Sequence, residues 1–109
     1  MVITNARFSK AALCKIAGMA HDGYARSIRP VHTTADGDSI YAVSVTDPAG
    51  EPVSADQDLV GALAAEVMSE AILRAVKSAR GAYGFPAWQD LKSKPEKPEI
   101  FQLSGETSR

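Results

Sequence analysis

DLVGALAAEVMSEAILRAVKSAR, residues 58–80, is the stretch that decides the fold class of this chain. Its apolar residues recur at spacings of three and four, which predicts a long amphipathic helix from about Leu59 to Arg80, with Asp58 as its N-cap. Small residues near its start suit close packing against another helix or a sheet. The apolar face consists of Val60, Leu63, Ala64, Val67, Met68, Ala71, Ile72, Ala75 and Val76.

Shorter elements precede this helix. Val2 to Thr4 is a β-branched run that predicts a strand stub. Ser9 can cap a helix from Lys10 to about Ile28, which ends before Pro30 because the residue preceding a proline avoids helical geometry. Ser39 to Thr46, SIYAVSVT, predicts a second strand. The order strand, helix, strand, helix predicts an α/β fold. Since two strands and two helices do not make a stable sheet layer alone, we expect self-association or a sheet completed by another polypeptide.

The C-terminal part changes character. GAYGFPAWQDL, residues 81–91, predicts a turn that folds back on the body, with Tyr83 and Trp88 as its anchors. From Lys92 onward the sequence, KSKPEKPEIFQLSGETSR, is polar and charged, which predicts a flexible tail. The chain is therefore interpreted as a body at residues 1–91 and a tail at residues 92–109.

Composition limits the class of partner. The chain has 109 residues, a formal net charge of −1 and no block of one sign, which argues against electrostatic binding of nucleic acid or of an anionic membrane. No stretch reaches the ~20 apolar residues of a membrane-spanning helix, and the first residues do not resemble a signal peptide. The single cysteine, Cys14, fits a reducing compartment. A cytoplasmic location is expected.

The loop RPVHTTADGD, residues 29–38, carries the clearest candidate functional site. Asp36 and Asp38 flank Gly37 just before the second predicted strand. Such a carboxylate pair can orient a lysine or an amine, or can divide acid and base roles between its members. The structural alternative is a turn in which Asp36 and Gly37 supply the backbone geometry and Asp38 caps it.

Other chemistry is less well supported by spacing. His32 lies near both carboxylates, but a metal site needs three or four ligands, and His21 is the only other histidine. Cys14 and His21 are two helical turns apart, ~10 Å along the axis, which is too far for a nucleophile and its base. A packed thiol is the favoured interpretation of Cys14. A triad of Ser39, His32 and Asp36 lacks a nucleophile-elbow motif.

Several motifs together resemble the L-aminopeptidase/D-esterase (DmpA-type) family of N-terminal-nucleophile hydrolases. Within that family the sequence is most similar to the nylon-oligomer (6-aminohexanoate oligomer) hydrolases, over roughly residues 2–91. The motifs are TNAR (4–7), GMAHDGYAR (18–26), RPVHT (29–33), DGDSIYA (36–42) and GAYGFPA (81–87).

The resemblance implies part of an α/β/β/α sandwich and an amide-bond hydrolase made as a self-cleaving precursor. In such enzymes the new N-terminal threonine or serine of the small subunit attacks the substrate, and its own amine can act as base. This chain resembles the small, C-terminal subunit. The match starts a few residues inside the first strand, so the nucleophile would precede Met1 and is not in this chain.

The resemblance also implies the remaining roles. Asp36 and Asp38 match positions that approach the nucleophile and its supporting lysine, and are assigned to orientation and proton management. No cofactor and no metal are implied. The expected partners are a large subunit of the family, a second copy of the chain, and a small peptide or amide substrate. The alternative function is a non-catalytic α/β oligomerisation or interaction module derived from the family.

Overall fold

The structure, a computed structural model, describes residues 1–92. The chain forms two compact units, one from Met1 to Ala75 and the other from Val76 onward. The predicted order strand, helix, strand, helix is confirmed, with one short helix added; residues 93–109, most of the predicted tail, lie outside the described residues. The elements are β1 (Val2–Thr4), α1 (Lys10–Ser27), β2 (Ala42–Ser44), α2 (Gln57–Ser78) and α3 (Trp88–Lys92).

Helix α1 begins and ends as its sequence predicts. The Ser9 hydroxyl accepts a hydrogen bond from the backbone N–H of Ala12 at 3.2 Å, which satisfies one of the free donors at a helix start. The last turn closes where Ile28 N–H donates to the Tyr24 carbonyl at 2.8 Å. Ile16 and Ala20 on the apolar face are completely buried and form the centre of the core.

Helix α2 starts two residues before the predicted start, at Gln57. The predicted cap, Asp58, is wrong: the Asp56 carboxylate accepts the N–H of Leu59 at 2.8 Å and thus caps the helix. Asp58 lies instead in the first turn, where its charge still faces the positive end of the helix dipole. Asp56 and Asp58 are only two positions apart, on either side of Gln57, so the sequence alone does not decide which of them caps the helix.

Helices α1 and α2 pack through small residues, as the composition of α2 predicts. A Cβ atom added to Gly23 would lie 2.7 Å from Met68 Cβ and closer still to the Ala65 carbonyl oxygen. Ser27 Oγ also lies 2.6 Å from Ser69 Oγ, so a hydrogen bond ties the two helices together. This close approach is possible only because no side chain stands at residue 23.

The described residues contain a two-stranded parallel sheet in which Val2 is opposite Ala42. β2 is shorter than the predicted strand at Ser39–Thr46, because β1 offers only three residues as partners. One face of the sheet is partly covered, whereas on the other face Ile3 is 66% and Val43 38% exposed. The mixture of helices and strands confirms an α/β chain. The predicted four-layer sandwich stays a prediction.

The second unit contains a tight turn and α3. Ala82 and Phe85 exchange two backbone hydrogen bonds of 3.1 and 2.9 Å around Tyr83 and Gly84, which both have positive φ. That combination is typical of a type I′ turn. Tyr83 is 99% exposed, so its predicted role as an anchor is wrong. Trp88 is partly buried, and the Lys92 ammonium lies 4.0 Å from the centre of its ring.

None of the helices within residues 1–92 combines the length and apolarity needed to cross a membrane.

Candidate functional site

The loop between α1 and β2 carries both predicted site residues, Asp36 and Asp38. The Asp36 carboxylate is occupied by its own loop: Oδ2 accepts the N–H of His32 at 2.9 Å, and Oδ1 accepts the N–H of Asp38 at 2.9 Å. The N–H of Asp36 donates in turn to the Thr33 carbonyl at 3.0 Å. Asp36 therefore holds the backbone of the loop in shape. The structural alternative for this motif, a turn, is present, but its cap is the Asp36 carboxylate and not the predicted Asp38.

These hydrogen bonds also set the charge of Asp36. The backbone N–H groups of Asp38 and then His32 hold the pKa of the Asp36 carboxyl below its usual value, against a small opposing effect of burial, and the nearby imidazoles of His32 and His21 add to the lowering. At neutral pH the carboxylate is therefore ionised. It acts as an acceptor and not as a proton donor.

The Asp38 carboxylate, on the same loop, differs from that of Asp36 in its surroundings. It is exposed, and among residues 1–92 its carboxylate takes part in none of the hydrogen bonds or ion pairs described. Its backbone N–H donates a hydrogen bond to the Asp36 carboxylate. The pair that the sequence presents as two equal carboxylates thus divides into one acid that shapes the loop and one whose oxygens face solvent.

Two histidines flank this loop. His32 adopts a positive φ of 56°, and its ring centre lies 5.4 Å from that of His21 on α1 at an interplanar angle of 63°. His21 also makes an edge contact of 5.4 Å with Tyr24. The Nδ1 atom of His21 is buried and has no hydrogen-bond partner within the described part of the chain. This ring pair joins a helix to a loop and has no fixed spacing, so the sequence does not reveal it.

The register of the sheet places this loop at the beginning of β1. The N–H of Val2 donates to the Tyr41 carbonyl at 2.8 Å, just before β2 begins. Asp38 is three positions before Tyr41, so it lies within ~10 Å of that hydrogen bond along the chain. Because parallel strands start at the same edge, the acidic loop and the first residues of the chain share one end of the sheet.

The other predicted constellations are not assembled. The described residues contain no group of three or more His, Cys, Asp or Glu side chains that could hold a metal ion. Cys14 is exposed, so the predicted packed thiol is wrong: the covered face of α1 is formed by Ile16 and Ala20. Ser39 is exposed on the loop, and both oxygens of Asp36 are already hydrogen-bonded to the backbone.

An apolar groove of about 330 Å³ lies between β1 and α2. Its walls include Ile3 on the strand side and Leu63 and Val67 on the helix side, which are 66%, 50% and 65% exposed. Sequence periodicity placed Leu63 and Val67 on the apolar face of α2. The structure leaves this part of the face uncovered, and β1 is an edge strand with which no further strand of residues 1–92 pairs.

The family model described as Peptidase family S58 matches residues 1–87. The chain belongs to peptidase family S58. This confirms the resemblance to the aminopeptidase and nylon-oligomer hydrolase family that the motifs indicate.

Curated relatives agree with the assignment. The S58 chain is 38% identical over 101 residues to an uncharacterized aminopeptidase of Mycobacterium tuberculosis, covering 84% of this chain and 29% of the relative. It is 36% identical over 85 residues to the 6-aminohexanoate-oligomer endohydrolase of Kocuria sp., covering 70% of this chain and 24% of that protein. The chain therefore spans less than a third of the length of these relatives. No solved structure matches it.

Proposed function

We propose that this S58 chain is the small-subunit part of an amide-bond hydrolase that acts through an N-terminal threonine or serine nucleophile, which is not among the residues of this chain. The observation that carries the proposal is the pairing of Val2 with Tyr41 and Ala42. A residue placed just before Met1 would extend β1 toward the edge where the acidic loop lies. A nucleophile there would stand beside Asp38.

The proposed chemistry balances without a cofactor. The nucleophile hydroxyl attacks the amide carbonyl carbon while its own α-amine takes the hydroxyl proton. The proton then passes to the leaving nitrogen as the amide bond breaks, which leaves an ester between substrate and enzyme. Water hydrolyses that ester and restores the hydroxyl. The proposed substrates are small peptides and ω-amino-acid oligomers, the classes to which the names of the relatives point, and amino-acid amides, which contain the same type of bond.

The two carboxylates would take separate roles in this reaction. Asp36 would keep the loop in one conformation through the N–H groups of His32 and Asp38. Asp38 would place its free carboxylate against the ammonium of the nucleophile or of a supporting lysine. This arrangement assigns the proton management to Asp38 and a positioning role to Asp36.

The test is reconstitution. The chain is extended by one threonine directly before Met1, with its amine freed by a site-specific protease, and is co-expressed with the part of the Mycobacterium tuberculosis relative that it does not cover. Amide hydrolysis is followed with amino-acid anilides and 6-aminohexanoate oligomers. We expect activity from the pair only, with Asp38→Asn lowering kcat by ~100-fold or more. Asp47→Asn is the matched control for replacement of Asp36, because Asp47, like Asp36, accepts a loop N–H two residues ahead, at 2.9 Å, on a different loop.

Two results would contradict the proposal. Activity of the isolated chain would show that no external nucleophile is needed. Full activity of a reconstituted enzyme with both Asp36→Asn and Asp38→Asn would remove the role of the acidic loop. A complex that forms tightly yet hydrolyses no amide would favour the alternative, a non-catalytic interaction module, for which the exposed Ile3 and Val67 are the supporting observation.

A further inference from the structure

The contact between His21 and His32 is the feature from which a further inference follows. His21 belongs to helix α1 and His32 to the loop that carries Asp36, and their ring centres are 5.4 Å apart in an edge contact. Both imidazoles lie close enough to the Asp36 carboxyl to act on its charge. The proposed hydrolase chemistry uses neither ring. The pair is therefore a part of the surroundings of the acidic loop that still lacks a role.

His21 stands on a firmly packed part of α1. Its neighbours Ala20 and Gly23 are buried, Ala20 completely. Gly23 lies directly against α2, since an added Cβ would come within 2.7 Å of Met68 Cβ. A helix that is held by the core and by a second helix at this level moves little, because protein interiors are close-packed. The ring of His21 thus starts from a fixed point.

Packing holds the His21 ring in place. Its Nδ1 atom is buried and has no hydrogen-bond partner among residues 1–92, although a buried polar atom normally has one. The ring instead makes edge contacts with Tyr24 and His32, in both cases with ring centres 5.4 Å apart. Such edge contacts between rings are favourable by themselves. A ring of similar shape without nitrogens should therefore serve at this position.

His32 is the residue that needs support. Its φ of 56° lies in the left-handed region, which is unfavourable for a residue other than glycine. In this conformation its N–H donates to Asp36 Oδ2 at 2.9 Å, while the N–H of Asp38 donates to Oδ1 at 2.9 Å. Relaxation of His32 to a negative φ would redirect its N–H relative to Asp36. One side of the carboxylate would then be released, and the constraint on Asp38 would weaken.

We propose that His21 is a positioning residue for the acidic loop, whose ring holds His32 in the left-handed conformation that fixes Asp36 and, through it, Asp38. Support runs from helix α1 through the two rings to the carboxylates. The inference goes beyond the proposed function, which assigns roles to the two aspartates but not to the group that holds their loop. Only its consequence for catalysis rests on that function.

The test on the isolated chain is a double-mutant cycle of the two rings. The probe is the exchange of the Asp38 N–H with solvent, measured by NMR. His21→Ala and His32→Ala should each speed this exchange by ~10-fold or more, because the hydrogen bond to Asp36 opens more often. The double variant should stay within about threefold of the faster single variant, because each ring acts through the other. Factors that multiply would overturn the inference.

A conservative variant separates positioning from a general loss of stability. His21→Phe keeps a ring that can make the same edge contact, so Asp38 N–H exchange should return to within about threefold of that in the unsubstituted chain. Lys15→Ala, an exposed position six residues earlier on α1, is the matched control and should change nothing. Circular dichroism checks folding. His32 is exposed, so His32→Ala and His21→Phe carry the test if His21→Ala unfolds the helix.

The titration of the Asp36 carboxyl gives a second, spectroscopic readout. Its pKa is lowered mainly by the N–H groups of Asp38 and His32, so loosening of the loop should raise the midpoint toward 3.8. His21→Ala and His21→Phe both remove the imidazole charge. A higher midpoint in the alanine variant than in the phenylalanine variant therefore reports on the hydrogen bonds alone. Equal midpoints together with unchanged Asp38 N–H exchange would overturn the inference.

Activity separates this inference from the proposed function. In the reconstituted enzyme His21→Ala should lower kcat by ~10-fold with a smaller change in KM, and His21→Phe should recover most of that loss. A loop that responds as expected in a reconstituted chain that hydrolyses no amide would support the positioning role and contradict the hydrolase. An active enzyme in which His21→Ala changes neither kcat nor Asp38 N–H exchange would overturn the positioning role and leave the hydrolase standing.

Discussion

Helix α1 contains one exposed glycine, Gly18, and one buried glycine, Gly23. Replacing each of them by alanine should change the stability of the chain in opposite directions. Gly18 and Gly23 lie on the same helix, and in both cases alanine gains up to ~1 kcal/mol of helix propensity. A Cβ at Gly18 would meet no atom within 4 Å. A Cβ at Gly23 would lie 2.7 Å from Met68 Cβ and nearer still to the Ala65 carbonyl oxygen. Gly18→Ala should therefore stabilise the chain.

The size of the difference follows from the contacts. Met68 has a flexible side chain, but its Cβ and the Ala65 carbonyl belong to α2 and cannot move without the helix. Overpacking of this kind typically costs ~1–3 kcal/mol. Since the propensity gain is common to both variants, it cancels, and Gly23→Ala should be less stable than Gly18→Ala by ~1–3 kcal/mol. For a domain of this size that corresponds to a difference in Tm of at least ~4 °C.

The assay is thermal and urea unfolding of the full chain, followed by far-UV circular dichroism, with unchanged spectra at low temperature as evidence of folding. A Gly23→Ala chain as stable as Gly18→Ala would refute the reasoning. It would mean that α1 and α2 do not approach as closely at residue 23 as the structure has them.

Three further predictions concern single interactions. Asp56→Ala should destabilise α2 by ~1 kcal/mol and Asp58→Ala by less, because only Asp56 caps the helix; urea unfolding that ranks them in the reverse order would restore Asp58 as the cap. The Asp36 carboxyl should titrate below its usual pKa of 3.8. Its stabilisation of the loop is therefore present above that pH and is lost as the pH falls through the folded-state pKa. An NMR titration of this carboxyl with a midpoint at or above 3.8 would contradict this. Ser69→Ala should cost ~0.5–1.5 kcal/mol through loss of the hydrogen bond to Ser27, and an unchanged unfolding midpoint would show that the bond contributes nothing.

The helices could be predicted from residues that are close in sequence, whereas the lengths of the strands depend on pairing between distant residues. Ser9 caps α1 because the capping hydroxyl and its donor are three residues apart, a relation that a sequence shows directly. β2 came out shorter than predicted because a strand extends only as far as its partner, and β-propensity around Tyr41 and Val45 does not reveal how long β1 is. Helix periodicity located the apolar face of α2 but not which part of it is covered, so the exposure of Val67 was not foreseen.

The pair of aspartates in the loop between α1 and β2 also shows what sequence spacing cannot predict. Spacing identified Asp36 and Asp38 as neighbours but treated them as equivalent. Their difference arises from the turn of the backbone, which brings the N–H of His32 to one oxygen of Asp36 and that of Asp38 to the other. Spacing also favoured a packed Cys14, since thiols are commonly buried, whereas the actual exposure depends on which side of α1 the sheet and α2 occupy.

The pairing of residue 2 with residue 42 has a consequence for how the chain is made. During synthesis β1 leaves the ribosome before β2 and cannot pair with it until some forty more residues have followed. Helix α1 relies on neighbours in sequence and can form in that interval, whereas the loop with Asp36 takes its place beside β1 only when β2 arrives. Any factor that captures the nascent N-terminal strand before then would compete with assembly of the acidic end of the sheet.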